Sequence, residues 1–500
     1  MNTLVKSTVK GWAILMIGST LTLGQSLTDF EQKVHEFTLD NGLKFIVLER
    51  HEAPVVYFQT YADVGSVDEV KGITGMAHVF EHMAFKGSET VGSKDYEKEV
   101  EALAVVDEAF LDLKRARNQG AGPERLTELE KRYLEAQESA GAYLVHDEFE
   151  EALIRAGGVG LNASTAPDAT RYVVSLPSNK LELWMNLESE RFLNPVLREF
   201  YKEKNVVMEE RRLRTENSPR GRLFEEYLAL AYKAHPYGEP VVGHMSDIQT
   251  MTRKEAEDFF KKYYGPSNLT MAVVGDVYVD EVHSLAQTYF GRIPGRPKPD
   301  RVETVEPPQL GERTIVMKAP AQPSVMFGYH KPSIHDPDEV VFDAISDILG
   351  VGRTSRLYRS LVVDKKIATR ASGFHGFPGS KYPGLFTFSA TPSRGHTNQE
   401  CIEAIDLEIE RLKTELVSDV ELERAKTRSQ AGLIRSLSSN RGLARLLTFY
   451  EVVTGDWRNL FKQLELLNRV TPQDIQRVAR KYFINTGRTV AAIETQRPDR

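Results

Sequence analysis

Cysteine is almost absent: the chain of 500 residues has one, Cys401. An internal disulfide framework is therefore excluded, and so is a zinc site built on cysteine thiolates. A lone cysteine is most often a small buried hydrophobe. An excess of one charge sign is also lacking. The 64 basic and 71 acidic residues leave a net charge of −7 with no strongly basic block, which argues against a nucleic-acid partner. Long apolar runs are missing beyond the N-terminus. There Lys6 and Lys10 precede a short apolar run, Gly11 to Gly24, with the small residues Thr22, Gly24 and Ser26 at its end. This is the layout of an export signal, expected over residues 1–25, and the run falls short of the ~20 residues that span a bilayer. The expectation is an exported protein, in the periplasm of a Gram-negative bacterium, with an uncleaved N-terminal membrane anchor as the alternative. No cysteine follows the run, so a lipid-modified N-terminal cysteine is excluded.

What is present reads as a multidomain globular protein. Hydrophobic residues make up 41% and charged residues 27% of the chain, and its length exceeds one ordinary core. Val34 to Arg50 alternates apolar and polar residues around Asn41-Gly42, a hairpin signal. Val55 to Ala62 reads as a third strand, and Gly72 to Phe85 switches to helical spacing. Residues 94–156 read as a polar helical hairpin, with Leu103, Val106, Phe110 and Leu113 on one stripe, a break at Gly120, Gly122 and Pro123, and a second stripe from Leu126, Leu129 and Tyr133. Leu176 to Phe192 and Phe200 to Thr215 read as further helices, and Leu269 to Gly275 as a buried strand. Residues 292–312 hold a cluster of prolines and read as a linker between a first domain, 30–291, and a second, 313–500. An internal repeat supports that division. Thr252 to Val274 and Thr471 to Ile493 align without a gap, each an acidic amphipathic helix, then Lys-Tyr-aromatic (Lys262, Tyr263, Tyr264; Lys481, Tyr482, Phe483), then an apolar strand.

The chemistry concentrates in His78-Val79-Phe80-Glu81-His82. On a helix His78 and His82 stack one turn apart on one face, where two imidazoles can share one tetrahedral zinc. Glu81 lies nearly on that face and can take a proton from attacking water. The order His-x-x-Glu-His inverts the commoner zinc-peptidase pattern. A bland helix with two ordinary histidines is the competing reading.

The segment Gly75 to Gly87 around these residues resembles the zinc helix of the M16 (pitrilysin-like) peptidases, of the two-chain processing-peptidase type. The resemblance extends through Asn162-Ala163, Asp168-Ala169-Thr170 and His235-Pro236-Tyr237-Gly238 to Ser355-Arg356-Leu357-Tyr358 and Gly384-Leu385-Phe386. It implies an α+β fold of two homologous α/β rolls, each an antiparallel-rich sheet covered by helices, facing a second such pair across a chamber. The residues at 94–156 would be an insertion in the first roll. The resemblance implies one zinc per chain, with Glu210 as third ligand beside His78 and His82, Glu203 as a supporting acid and Glu81 as catalytic base. Glu209, adjacent in sequence, is the rival ligand; on a helix it points about 100° away. Asn162 and Ala163 match an edge strand that pairs with the peptide substrate. His330, His335, His375 and His396 are scattered, so the second domain is expected to hold no metal. It also lacks an Arg and a Tyr that family members use on substrate: the strand there reads Phe386-Thr387-Phe388, and the Tyr position falls near Ser393. A heterodimer with a zinc-less homologue supplying them is expected, with a homodimer as the alternative. The expected activity is zinc-dependent endopeptidase hydrolysis of extended or unfolded peptides. A non-catalytic assembly subunit and a peptide-binding module of the same fold are the other readings.

Overall fold

In a computed structural model describing residues 30–496, two sheets share one strand order. The expected export signal lies outside the described residues. The first sheet contains β1 (Val34–Thr38), β2 (Lys44–Glu49), β3 (Val55–Ala62), β4 (Val159–Thr165), β5 (Thr170–Pro177) and β6 (Leu269–Gly275), in the order β1-β2-β6-β3-β5-β4. The second contains β7 (Arg313–Ala319), β8 (Ser324–His330), β9 (Ala368–Phe377), β10 (Leu385–Pro392) and β11 (Arg488–Thr495), in the order β7-β11-β8-β10-β9. β2 and β6 run parallel, as do β7 and β11; every other pairing is antiparallel. β1 apart, the two sheets are therefore one topology used twice, and β6 and β11 are the strands that close the sequence repeat.

The helices that build the cores and the site are α1 (Met76–Met83), α2 (Tyr96–Asn118), α3 (Pro123–Gly141), α4 (Leu181–Leu193), α5 (Phe200–Arg211), α6 (Pro219–Ala231), α7 (Arg253–Tyr263) and α8 (Val279–Phe290) in the first half. In the second they are α9 (Glu339–Gly350), α10 (Asn398–Thr414), α11 (Asn440–Thr454), α12 (Asn459–Arg469) and α13 (Pro472–Tyr482). Strand alternation sends Phe45, Phe58, Val174 and Met271 to one face of the first sheet, against Trp184 of α4, Phe260 of α7 and Phe290 of α8. The opposite face, with Ile46, Tyr57 and Ala272, is covered by Leu443 and Leu447 of α11 and Phe461 of α12. The second sheet repeats this. Phe327, Phe386, Phe388 and Val490 pack on Ile345, Ile405 and Ile475. Its other face, with Met326, Ala491 and Ile493, is covered by Leu223 and Tyr227 of α6.

The first half thus lends one helix, and the second half two, to the back of the other's sheet. Burying large side chains at ~1.5–3 kcal/mol each makes this exchange worth on the order of 10 kcal/mol gross. The partly exposed pair Lys44–Glu451, 2.6 Å across the same interface, adds roughly 1 kcal/mol at most. Apolar burial holds the halves together, and polar contacts set their register. Those contacts are Gln59 Nε2 to Thr448 Oγ1 at 2.5 Å, Lys381 Nζ to Asp63 at 2.7 Å, and Asp168, which accepts from the Tyr237 hydroxyl and from the Ser380 and Lys381 amides.

Residues 294–310 form no helix or strand. Lys298 pins them to Asp63 at 3.0 Å, and Glu306 accepts from the amides of Lys233, Ala234 and His235. Two local expectations shift. The first hairpin pairs Thr38 with Lys44, so five residues connect its strands; Asn41 is drawn away to the carbonyls of Phe290 and Ile293 at 2.8 and 3.0 Å. The helix expected from Leu176 starts at Leu181, because Leu176 still belongs to β5, which runs to Pro177 and whose burial alternates with period two.

His375 on β9 lies 2.9 Å from Asp343 and 3.3 Å from Glu339, which also binds Lys331. Burial opposes charging the ring, but these two carboxylates outweigh it and push its pKa up to about 9. A folded-state pKa above the usual ~6.5 means stabilisation that is complete below about pH 6.5 and is lost as pH rises through about 9. Thermal melting should therefore fall between pH 7 and 9.5 in the wild type. His375→Gln should flatten that part of the profile, and an unchanged slope in the variant would contradict the assignment.

Candidate metal centre

α1 carries its chemistry on one side because the other side is core. Met76, Ala77, Val79, Phe80 and Met83 are buried, with Phe80 stacked on Phe260 at 5.2 Å. Its N-terminus is capped from a distance: the Glu69 carboxylate accepts from the Gly75 and Ala77 amides at 2.6 and 2.7 Å. Gly75 stands at φ +89°, and a Cβ there would meet the Val242 carbonyl at 2.5 Å. Gly243 stands at φ +81°, with the Thr74 carbonyl 2.2 Å from where its Cβ would be. Neither position accepts a side chain. α5 arrives against α1 from another part of the fold. Val207 is fully buried, Lys204 Nζ donates to the carbonyls of Gln249 and Met251, and Arg211 donates to the Gly243 carbonyl at 2.6 Å while pairing with Glu225 at 2.9 Å.

This brings His78, His82 and Glu210 together, with one potential ligand atom from each lying within 4.8 Å of the others. His78 Nε2 is 3.6 Å and His82 Nε2 3.5 Å from the Glu210 carboxylate. Tetrahedral coordination at ~2.0–2.2 Å separates ligand atoms by about 3.3–3.6 Å, and each imidazole stands at about that spacing from one oxygen of Glu210. The His78 and His82 rings are perpendicular, with centroids 5.0 Å apart. Glu210 also binds Arg214 one turn on. Glu209 points away, largely exposed and paired with Arg212. Glu203 sits 3.3 Å from His82 Nδ1 and 2.7 Å from Lys86 Nζ, and Lys86 reaches Glu199 at 3.2 Å. Glu81 accepts a 2.5 Å hydrogen bond from the Thr165 hydroxyl.

The environment separates residues of one type. Burial, reinforced by the nearby His82 and Arg214, pulls His78 down to about 4 against the attraction of Glu210. His78 is therefore neutral at pH 7 and available as a ligand, and its Nδ1 is buried without a partner. Burial also lowers His82, but its hydrogen bond to Glu203 and the surrounding carboxylates raise it overall. Burial raises Glu81 above the ordinary carboxylate range despite the Thr165 bond. It would raise Glu203 too, but His82 and Lys86 hold that carboxylate at about 2. Glu81 is thus poised to exchange a proton, while Glu203 is a fixed anion that orients His82.

Asn162 and Ala163 lie on β4, the last strand of the first sheet, whose outer edge pairs with nothing among the described residues. Asn162 is exposed, Ala163 packs toward the first core, and the strand ends at Thr165 beside Glu81. In the second half, Phe386 is fully buried in the core and Ser393 follows β10, so neither an arginine nor a tyrosine stands there. Three contributors escaped the sequence reading. Lys86 extends the His78–His82 stripe by four more residues, a signal that was available. Thr165 and Glu69 approach from elsewhere in the chain, and nothing local marks them.

Profiles of two families match the chain. The one described as "Insulinase (Peptidase family M16)" covers residues 44–116 and 143–244, and "Peptidase M16 inactive domain" covers 250–429. The first omits 117–142, which takes in the turn of the α2–α3 hairpin and the whole of α3. The chain is 30% identical over 485 residues to a zinc protease, PqqE, of Helicobacter pylori, with 95% of this chain and 96% of that protein aligned. It shares 23% identity over 448 residues with an uncharacterised zinc protease of Mycobacterium leprae, covering 88% of this chain and 87% of that one. Its fold matches the crystal structure of a protease from Helicobacter pylori with a TM-score of 0.77 at 29% identity, covering 92% of this chain and 99% of that one. It also matches the periplasmic protease PqqL from Escherichia coli, with a TM-score of 0.69 at 17% identity, over 92% of this chain but 47% of that one. The chain belongs to the M16 peptidase family.

Glu203 fixes His82 without reaching the ligand cluster. Glu203→Gln should therefore weaken zinc affinity about 10–100-fold, while Glu209→Gln should leave it unchanged. Titration against a chelator of known affinity separates the two, and equal effects would refute the assigned roles.

Proposed function

We propose that this M16 chain is a zinc metalloendopeptidase acting on extended peptide segments. One observation carries the reading: two histidines and a glutamate converge at metal spacing, with a proton-poised Glu81 at the end of an unpaired sheet edge. His78, His82 and Glu210 would hold the ion; three protein ligands leave the fourth position open, as catalytic zinc sites require. When bound, zinc supplies Lewis-acid chemistry, polarising a carbonyl and making water acidic near neutral pH. Glu81 takes the proton of the attacking water and passes it to the leaving amine. Glu203 and Lys86 keep His82 oriented. β4 offers its free amides and carbonyls to a substrate strand, Asn162 and Ala163 among them, so that the backbone is gripped without regard to sequence.

The same reading gives the chain a partner. With Phe386 and Ser393 where family members carry substrate-binding Arg and Tyr, we propose that a zinc-less homologue supplies these groups in a heterodimer, a homodimer being the alternative. The match to about half of PqqL supports pairing, since one such protein has the length of two of these chains. The profile named for an inactive domain falls mostly on the second half, whereas the complete His-x-x-Glu-His segment lies in the first. A purely structural subunit is therefore the weaker reading.

The test is hydrolysis of a quenched-peptide mixture by the zinc-loaded chain, alone and mixed with such a homologue. Activity should appear on mixing and fall about 10²–10⁴-fold in Glu81→Gln with zinc still bound. Full activity of the chain alone would refute the heterodimer. Wild-type and Glu81→Gln rates that are equal would refute the peptidase.

A further inference from the structure

Beside β4, on the face opposite the metal helices, lies a cleft of about 460 Å³ that the proposed chemistry does not use. Its walls are apolar and half open: Val159 and Leu161 of β4, Tyr57 of β3 and Val173 of β5. Asn162 lies opposite Val173 in the strand register and so shares its face. The far wall comes from the second half, as Asn440 and Arg441 in the first turn of α11. No carboxylate lines the cleft. Arg445, one turn beyond Arg441, lies on the same side of α11, and the Tyr57 phenol sits in the field of both. Arg171 continues the row on the sheet. It lies opposite Ser164, on the Asn162 face, with its guanidinium 4.9 Å from the Tyr61 ring centre and its Nε buried without a hydrogen-bond partner. Among the described residues, none of these three arginines forms an ion pair.

Uncompensated cations beside an apolar cleft define a taste in ligands. We propose that this cleft is a substrate subsite that selects an acidic side chain, with Arg441 and Arg171 as its specificity-determining residues. The proposal rests on the reading of β4 as the substrate strand. A peptide added to the β4 edge continues the sheet, so every second side chain points to the Asn162 face. At about 3.3 Å per residue, Asn162 and Val159 lie roughly 10 and 20 Å from Thr165 along the strand. The residue selected is then about three to six positions from the bond that Glu81 serves. The aliphatic part of a glutamate side chain would pack on Val173 and Tyr57, with its carboxylate toward Arg441. Specificity would in this way come from a residue of the second half acting on a strand of the first, which gives the exchanged α11 a functional role.

The probes are extended peptides blocked at both ends, so that no terminal carboxylate competes, differing only by Glu, Gln or Lys three to six residues from a central bond. Binding is read by fluorescence anisotropy to the zinc-loaded, full-length Glu81→Gln protein, both alone and mixed with the zinc-less homologue. The Glu peptide should bind about five-fold more tightly than its Gln twin, and the preference should fade as salt is raised from 0.05 to 0.5 M. Arg441→Glu should invert the order so that Lys binds best, and Arg171→Gln should weaken the Glu preference; near-native melting of both variants shows that they fold. Equal binding of all three peptides would overturn the acidic subsite while leaving the substrate strand in place. A Glu preference that survives Arg441→Glu would overturn the role of Arg441. No binding of any peptide would overturn the substrate strand and the subsite with it.

Discussion

Everything chemical in this protein depends on holding α1 and α5 in register, because the histidines and Glu210 come from helices far apart in sequence. The contact that does so is small. Arg211, at the end of α5, donates to the Gly243 carbonyl, and Gly243 presses on Thr74 and Gly75 at the start of α1 with no room for a Cβ. A side chain at either glycine would push the helices apart by more than a metal–ligand bond tolerates. Since loop closure costs rise slowly with length, the α2–α3 hairpin can interrupt the chain between the two helices without disturbing this latch. The hairpin is itself tied down at the base of α5: buried Arg198 pairs with Glu99 at 2.7 Å, and Arg253 and Tyr201 both bind Asp107.

The second organising feature is electrostatic. Four acidic or basic groups are packed close together, and burial alone would neutralise all of them. The structure assigns different fates by giving them different partners. Glu203 has His82 and Lys86 and stays an anion; Glu81 has only a hydroxyl and is lifted toward the working range of a base. Two carboxylates in one site with opposed proton affinities are the usual mark of divided labour in catalysis.

How much of this could be read from residues alone follows from the physics of each signal. Helical spacing exposed His78, Glu81 and His82 as one face, and the repeat ending in β6 and β11 anticipated two sheets of one topology. Amphipathic patterns state that a helix has an apolar side but not which sheet receives it. The exchange of α6 and α11 between halves was therefore invisible, though Leu223, Tyr227, Leu443 and Leu447 are ordinary core residues in composition. The end of β5 reads as helix because Leu176 stands seven residues, two helical turns, before Leu183. Thr165 and Glu69 act on α1 from other segments, where a threonine or a glutamate carries no local mark. The arginines of the β4 cleft were likewise invisible, since an unpaired cation is defined by what fails to surround it in three dimensions.

The central claim is that His78, His82 and Glu210 form an open, three-ligand zinc site. Crystals of the zinc-loaded protein measured on both sides of the zinc absorption edge test it directly. The account predicts one anomalous peak per chain, bound by these three side chains at ~2.0–2.2 Å, with Glu81 near but outside the ligand shell. A peak elsewhere, or one closed by Glu81 or Glu203 as a fourth protein ligand, would contradict it.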